Sequence, residues 1–234
     1  MKNIAIIVAG GIGSRVGMNI PKQFIEIEGK PILAYTIESF QNSTSIDEIE
    51  IVCISTYIDY LKQMINKYNF TKIKYIVNGG NCVQESIKNG LDNLKGKVND
   101  EDIVIIHDGI RPVIDEFVIK DVIEVAKKYG AAATSLPYNE QIFIKYDDIS
   151  TKEFIPRETI MRVSTPQAYN FKKLYEAYNK AFKENIGING SNYTNTMWVK
   201  LGNLLYFSKG SDKNIKITTK DDIELFRAYI SKKG

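Results

Sequence analysis

Ile4-Ala5-Ile6-Ile7-Val8-Ala9-Gly10-Gly11-Ile12-Gly13-Ser14-Arg15-Val16-Gly17, with Pro21-Lys22-Gln23-Phe24 close behind, is the stretch on which the reading of this chain turns. Six apolar residues without polar alternation suit a strand buried on both faces, as in a parallel sheet. The strand runs into glycines, where no Cβ keeps backbone N–H groups from closing on an anion. Arg15 and Lys22 add two positive charges within reach of that loop, a combination that suits a triphosphate. On its own the loop is equally well a glycine turn flanked by solvated basic residues. Two rival motifs fail. A P-loop needs Gly-Lys followed by Ser or Thr at its end. A dinucleotide fingerprint needs its third glycine in register and an acid ending the next strand. Here that glycine is displaced to Gly17, Pro21 interrupts the following segment, and the region further on reads as a helix.

Outward from this stretch, apolar runs alternate with amphipathic segments. Strands are expected over 4–9, 50–55, 74–78, 103–107 and 131–136, and helices over 31–40, 58–68, 82–94 and 115–129. Repeated β-α units predict a doubly wound α/β fold with a mostly parallel sheet. Ligands of such sheets sit beyond the carboxyl ends of the strands, where the Gly10-Gly11 loop and Asp108 both fall. The rhythm breaks over 138–160, which reads as a protruding β-hairpin arm with a charged turn at Asp147-Asp148. A helix over 171–185, a polar loop over 186–195, a late strand over 204–208 and a closing helix over 220–232 complete the chain. No repeat or low-complexity linker divides it, so residues 1–234 read as one domain.

Composition narrows the function. The 44% hydrophobic and 11% aromatic content is that of a folded globular protein. The net charge of +3 is spread among intermixed acids and bases, without the basic stripe of a nucleic-acid binder. Cys53 and Cys82 have no CxxC spacing, and His107 is the single histidine. A disulfide framework, a Cys-based zinc site and any site built on two histidines are therefore not expected. No apolar run reaches membrane length. The expectation is a soluble, cytoplasmic protein without a nucleic-acid or membrane partner. Asp108, an acid at a strand's carboxyl end beside a glycine loop, suits a metal ligand. His107 is read as a packed neighbour, and Lys216 as part of an alternating strand.

The glycine loop with Pro21-Lys22-Gln23-Phe24 resembles the signature of the cytidylyltransferases that act on alditol phosphates, the family of the 2-C-methyl-D-erythritol 4-phosphate and ribitol 5-phosphate enzymes. Further blocks recur in that family's order: Gly79-Gly80 with Ser86 and Gly90-Leu91, His107-Asp108-Gly109-Ile110-Arg111-Pro112, Thr165-Pro166-Gln167, and Asn214-Ile215-Lys216-Ile217-Thr218-Thr219. The resemblance implies a Rossmann-like nucleotidyltransferase fold that moves a cytidylyl group from CTP to a polyol phosphate. It implies that Ala9, Gly10, Gly11, Gly13 and Arg15 hold the triphosphate, with Lys22 on its phosphates and Lys216 on the α-phosphate. Gly80, Asn81 and Ser86 would face the base and ribose, and Asp108 would bind Mg²⁺. Arg111, Gln141, Arg157 and Thr165 would serve the acceptor side. The arm would exchange between two subunits of a homodimer, carrying Arg157 to the partner's site.

Three departures fall at Val83, at Glu140-Gln141 and at Thr194-Asn195-Thr196. The methylerythritol enzymes carry Arg, Asp-Thr and Thr-Asp-Asp there. The last two lie on the acceptor side, while Arg15, Lys22, Asp108 and Lys216 are kept. The expectation is CTP chemistry on an alditol phosphate destined for a capsule or wall polymer. The competing readings are the methylerythritol enzyme, a non-catalytic CTP-binding module and, less well matched, an NAD-type oxidoreductase.

Overall fold

The computed structural model describes residues 1–11, 20–190 and 193–231. Its first half is built of β1 (Asn3–Ala9), the short pair β2 (Glu26–Ile27) and β3 (Lys30–Pro31), α1 (Ile32–Asn42), β4 (Glu48–Cys53), α2 (Ile58–Tyr68), β5 (Ile73–Asn78), α3 (Val83–Leu94) and β6 (Ile103–Asp108). Then come α4 (Glu116–Tyr129), β7 (Ala131–Pro137), the hairpin β8 (Ile142–Lys145) and β9 (Thr151–Ile155), and β10 (Met161–Asn170). The chain closes with α5 (Phe171–Glu184), α6 (Thr194–Lys200), β11 (Tyr206–Lys209) and α7 (Lys220–Ser231).

Among the described residues the main sheet has seven strands in the order β11-β7-β10-β6-β1-β4-β5. All its pairings are parallel except those of β10, which runs antiparallel to both β6 and β7. The chain moves outward from β1 through β4 to β5, then returns to place β6 on the other side of β1. The switch point therefore lies between β1 and β6, where such folds open a crevice beyond the strand ends. In register, Ala9 faces Cys53, Cys53 faces Asn78, and Val8 faces Asp108. The glycine loop and Asp108 are thus neighbours across two strands.

Strict alternation along β1 feeds two cores, because successive side chains point to opposite faces. Ala5, Ile7 and Ala9 pack with α1, α2 and α4 through Leu33, Phe40, Leu61 and Val118. Ile4 and Ile6 pack with α3, α5 and α6 through Leu91, Leu174, Tyr178 and Trp198. Each fully buried Ile or Leu contributes roughly 1.5–3 kcal/mol relative to exposure. That packing sets the strand ends in place. A third cluster seats α7 through Ile223 and Phe226 against Ile27, Ile32 and Ile217.

Three readings need correction, and one stretch without an expected element is a strand. The segment 161–170 is a ten-residue strand, although Pro166 argues against one. A bulge between Ser164 and Gln167 takes the proline out of the ladder. The polar loop over 186–195 gives way to α6 at Thr194. There Thr196 Oγ1 accepts from the Tyr193 N–H (2.8 Å) and donates to its carbonyl (2.9 Å). Lys216 lies outside any strand: its segment is tied through the Ile217 N–H to the Ile110 carbonyl (2.9 Å). The sequence suggests two buried thiols; Cys53 is buried, and burial pushes its thiol up to about 12. Cys82 is exposed at the N-cap of α3. The hairpin arm is present, with Ile142 facing Ile155 and Phe143 facing Phe154. No helix among the described residues is long and apolar enough to cross a membrane.

Candidate active site

Of the glycine loop, Ala9, Gly10 and Gly11 are described; Gly13 and Arg15 lie outside the described residues. Buried Gln23 props the loop from behind, its Nε2 donating to the carbonyls of Ala9 (2.7 Å) and Gly11 (3.0 Å). This turns the loop's carbonyls inward, a role that sequence reasoning did not assign to Gln23. The second glycine loop abuts the first backbone to backbone. A Cβ on Gly79 would sit 3.1 Å from Gly10 Cα, and one on Gly10 would sit 2.9 Å from Ser86 Oγ.

Ser86 acts on this junction from within. It is buried, donates to the Cys82 carbonyl (2.9 Å) and accepts from the Gly80 N–H (3.0 Å). Asn81 is held through its backbone N–H and its side-chain amide by Glu85 Oε2 (2.7 and 2.9 Å). Gly80 has no room for a side chain, since a Cβ would fall 2.3 Å from Glu85 Cβ. The loop 79–82 is a fixed wall in front of the first turn of α3.

Asp108, ending β6, is the electrostatic centre. Its Oδ2 lies 2.9 Å from Arg111 Nε and 3.2 Å from Lys216 Nζ. Burial opposes the charged form, but the two cations and the Arg111 hydrogen bond outweigh it and hold the carboxyl down at about 2. The Asp108 N–H donates to Thr165 Oγ1 (3.1 Å), which brings β10 to the same point. Asn214 clasps the cluster, accepting from Arg111 Nη1 on its carbonyl (2.8 Å) and donating Nδ2 to the Thr165 carbonyl (2.7 Å). Lys22 is buried and donates Nζ to the Thr218 carbonyl (2.9 Å). Thr218 is in turn fixed by Asp222, which accepts from its N–H (2.7 Å) and its hydroxyl (2.9 Å). The segment 214–218 thus gathers Lys22, Asp108, Arg111, Thr165 and Lys216 at the switch point.

His107 is fully buried against Phe40, its rings 4.8 Å apart. Burial lowers its pKa to about 4, although its Nε2 donates to the Arg111 carbonyl (3.1 Å). It is a packed neutral neighbour, in line with expectation. Arg111 is spent on Asp108 and Asn214, so it supports the strand end. Gln141 and Arg157 stand apart at the base of the hairpin, where Arg157 donates to the Asn139 carbonyl (3.2 Å) and lies 3.6 Å from Glu158. A cavity of about 610 Å³ beside Tyr129, Trp198 and Tyr206 lies at the β11 edge and shares no residue with the Asp108 cluster.

Among the described residues no three His, Cys, Asp or Glu side chains gather into a metal cage. A lone ionised carboxylate still fits magnesium, which keeps its waters and binds through one or two carboxylates together with substrate phosphates. Asp108 has that character.

The sequence profile of the family described as 2-C-methyl-D-erythritol 4-phosphate cytidylyltransferase (IspD) matches residues 3–232. The chain is similar to ribitol-5-phosphate cytidylyltransferase of Lacticaseibacillus paracasei, with 51% identity over 98% of each chain. It is similar to 2-C-methyl-D-erythritol 4-phosphate cytidylyltransferase of Clostridium acetobutylicum, with 42% identity over 98% of each chain. The crystal structure of 4-diphosphocytidyl-2C-methyl-D-erythritol synthase from Anaerococcus prevotii superposes with a TM-score of 0.82 at 27% identity, covering 98% of this chain and 96% of that one. With the switch-point cluster assembled as described, the chain belongs to the IspD family of cytidylyltransferases, and is a nucleotidyltransferase.

Proposed function

We propose that the chain transfers CMP from CTP to ribitol 5-phosphate, giving CDP-ribitol and pyrophosphate for a capsule or wall polymer in the cytoplasm. The observation that carries the chemistry is the Asp108 cluster, with Lys216 and Arg111 converging on one carboxylate beside a glycine loop. The choice of acceptor rests on the 51% identity to a relative of that name, against 42% for a methylerythritol enzyme. It also rests on Glu140, Gln141, Asn195 and Thr196, which depart from the methylerythritol pattern on the acceptor side.

In this reading an oxygen of the acceptor phosphate attacks the α-phosphorus of CTP. The bond from that phosphorus to the bridging oxygen breaks, and pyrophosphate departs with the electron pair. The acceptor phosphate is already ionised near neutral pH, so no general base is needed, which suits a chain whose single histidine is buried and neutral. Both reactants are anions, and the first task is to cancel their repulsion. Arg15 and Lys22 hold the triphosphate, and Lys216 meets the charge that builds on the α-phosphate. Gly10 and Gly11 let the backbone approach, and the Gly80-Asn81 wall leaves room for a pyrimidine. Asp108 would hold Mg²⁺, which when bound supplies further positive charge to the phosphate oxygens. Thr165 lines the acceptor side. Gln141 and Arg157 reach the acceptor from the arm of a partner subunit. Phe143, Tyr146, Ile149 and Phe154 leave that arm with exposed apolar surface for a second copy to cover.

The test is pyrophosphate release from CTP and Mg²⁺ across ribitol, arabinitol, glycerol, mannitol, erythritol and methylerythritol phosphates. Turnover strongest with ribitol 5-phosphate is expected. Equal or faster turnover of methylerythritol phosphate moves the acceptor to that compound, and CTP binding without release under every condition points to a binding module.

A further inference from the structure

Between the nucleotide wall and Lys216 lies an open cavity of about 330 Å³, lined by Cys82, Val83 and Gln84 on one side and by Ile188, Asn189 and Tyr193 on the other. The Tyr193 ring lies 5.8 Å from Lys216 Nζ, so the far wall of this cavity ends at the Asp108 cluster. Beneath the cavity runs a buried chain of hydrogen bonds that the chemistry above does not use. Tyr178, on α5 and fully buried, donates its hydroxyl to Gln84 Oε1 (2.9 Å). Its oxygen lies 2.6 Å from Thr194 Oγ1. Because the phenol proton is committed to Gln84, the threonine hydroxyl is the donor in that second bond. Gln84 Nε2 completes the chain by donating to the Gly187 carbonyl (2.9 Å). One phenol oxygen therefore joins α3, α5 and the start of α6, and through Gln84 it reaches Gly187.

The two walls are not held equally. α3 is anchored without Tyr178: Ile87, Leu91 and Leu94 are buried in the core, Ser86 ties its first turn, and Asn93 reaches Glu50 (2.6 Å). Across the cavity, Gly187 meets α3 through Gln84 and Thr194 meets Tyr178, while Ile188 is only partly buried against the same core. Loss of the phenol oxygen strands two buried polar partners, Gln84 Oε1 and Thr194 Oγ1, which favours a shift of that second wall toward new partners. The nucleotide wall stays put.

We infer that Tyr178 is a positioning residue for the acceptor: through Gln84 and Thr194 it sets the far wall of the 330 Å³ cavity, which receives the polyol chain of the alditol phosphate. This rests on the reaction proposed above. Recognition of a polyol needs polar groups held still, because a hydroxyl-binding pocket discriminates through the cost of leaving its own groups unpaired.

The test measures steady-state kinetics of Tyr178→Phe, Thr194→Val and the double variant, varying CTP and ribitol 5-phosphate in turn, with Thr194→Ser as the conservative rescue. A broken buried hydrogen bond raises the acceptor KM about tenfold in each single variant, with kcat and the CTP KM within about twofold of wild type. The double variant matches Tyr178→Phe, because that variant already lacks the Tyr178–Thr194 bond that Thr194→Val removes, and Thr194→Ser behaves as wild type. Unchanged acceptor KM in a folded Tyr178→Phe, an equal rise for both substrates, or additive effects in the double variant overturn the assignment. If Tyr178→Phe does not fold, the Thr194→Val and Thr194→Ser pair decides by the same criteria. Wild-type protein in the same assay separates the two ideas. Failure there to use any alditol phosphate overturns the reaction itself, whereas wild-type turnover with unmoved constants in the variants overturns only the positioning role.

Discussion

Glu50→Gln should stabilise this protein at neutral pH, and by an amount that grows with pH. Glu50 lies in the middle of β4, fully buried, with Ile6 beside it on β1 and Tyr75 on β5. Its Oε1 accepts from Asn93 Nδ2 (2.6 Å), while Oε2 is buried without a partner and would lie 2.7 Å from a Cβ on Gly90. Lys97 stands one link further out, donating to Asn93 Oδ1 (2.6 Å) and lying 4.9 Å from the Tyr75 ring centre. Burial raises the Glu50 carboxyl from 4.5 to about 8, only partly opposed by the Asn93 hydrogen bond and the Lys97 charge. Between those values the native chain keeps a proton that the unfolded chain releases, so raising the pH favours unfolding. The group's stabilising contribution is complete below the unfolded value and is lost as pH rises through the folded one. At roughly 1.4 kcal/mol per pH unit, wild type has given up about 3 kcal/mol by pH 7. Gln keeps the shape and the acceptor for Asn93 and has no proton to lose. Thermal melts at steps from about pH 5 to pH 8 should show wild type falling while the variant stays flatter, with a gap of roughly 6–12 °C at pH 7 for a chain this size. Parallel curves across that range would refute the reasoning.

Three further outcomes are expected. Lys216→Ala removes the cation beside Asp108 that is proposed to meet the α-phosphate, and kcat should fall by about 10²–10³ with a smaller change in CTP binding, read by pyrophosphate release and calorimetry. Gly80→Ala forces a methyl group to within 2.3 Å of Glu85 Cβ; the CTP KM should rise by about tenfold or more as the wall moves, while turnover at saturation changes less. Ile149→Ser with Phe154→Ser replaces side chains that are 96% and 67% exposed on the arm. Sedimentation should show the proposed dimer weakening toward monomer, with the acceptor KM rising in step.

The parallel part of the fold was legible because its strands are continuous apolar runs, and each is separated from the next by an amphipathic helix. β1, α2 and α4 end within a residue or so of where the pattern puts them. β10 was not legible, since Thr165-Pro166-Gln167 reads as a break, and only the bulge that absorbs Pro166 lets a strand continue there. α6 was missed for a related reason. Thr194-Asn195-Thr196 are poor helix formers, and the helix stands on the Thr196 cap and on burial of Met197 and Trp198. Within the site, Asp108 was legible as an acid at a strand's end and Lys22 as a base beside the glycine loop, while Arg111 and Lys216 stood out only through the family resemblance. Gln23 and Asn214 were named only as letters within motifs. Their work is to satisfy carbonyls and an arginine from behind, and no periodicity marks a residue for that.

The antiparallel course of β10 divides the inheritance of the molecule. The residues proposed to handle the nucleotide are fixed by β1, β6, the first turn of α3 and the segment 214–218. Of those proposed for the acceptor, Gln141, Arg157 and Thr165 hang on one continuous piece of chain, from the hairpin through β10, inserted between β7 and α5. It is seated by ladder contacts to Ile106 and Ala133, so a change within it reaches the arm and Thr165 together while the strands that carry the glycine loop and Asp108 keep their own pairing.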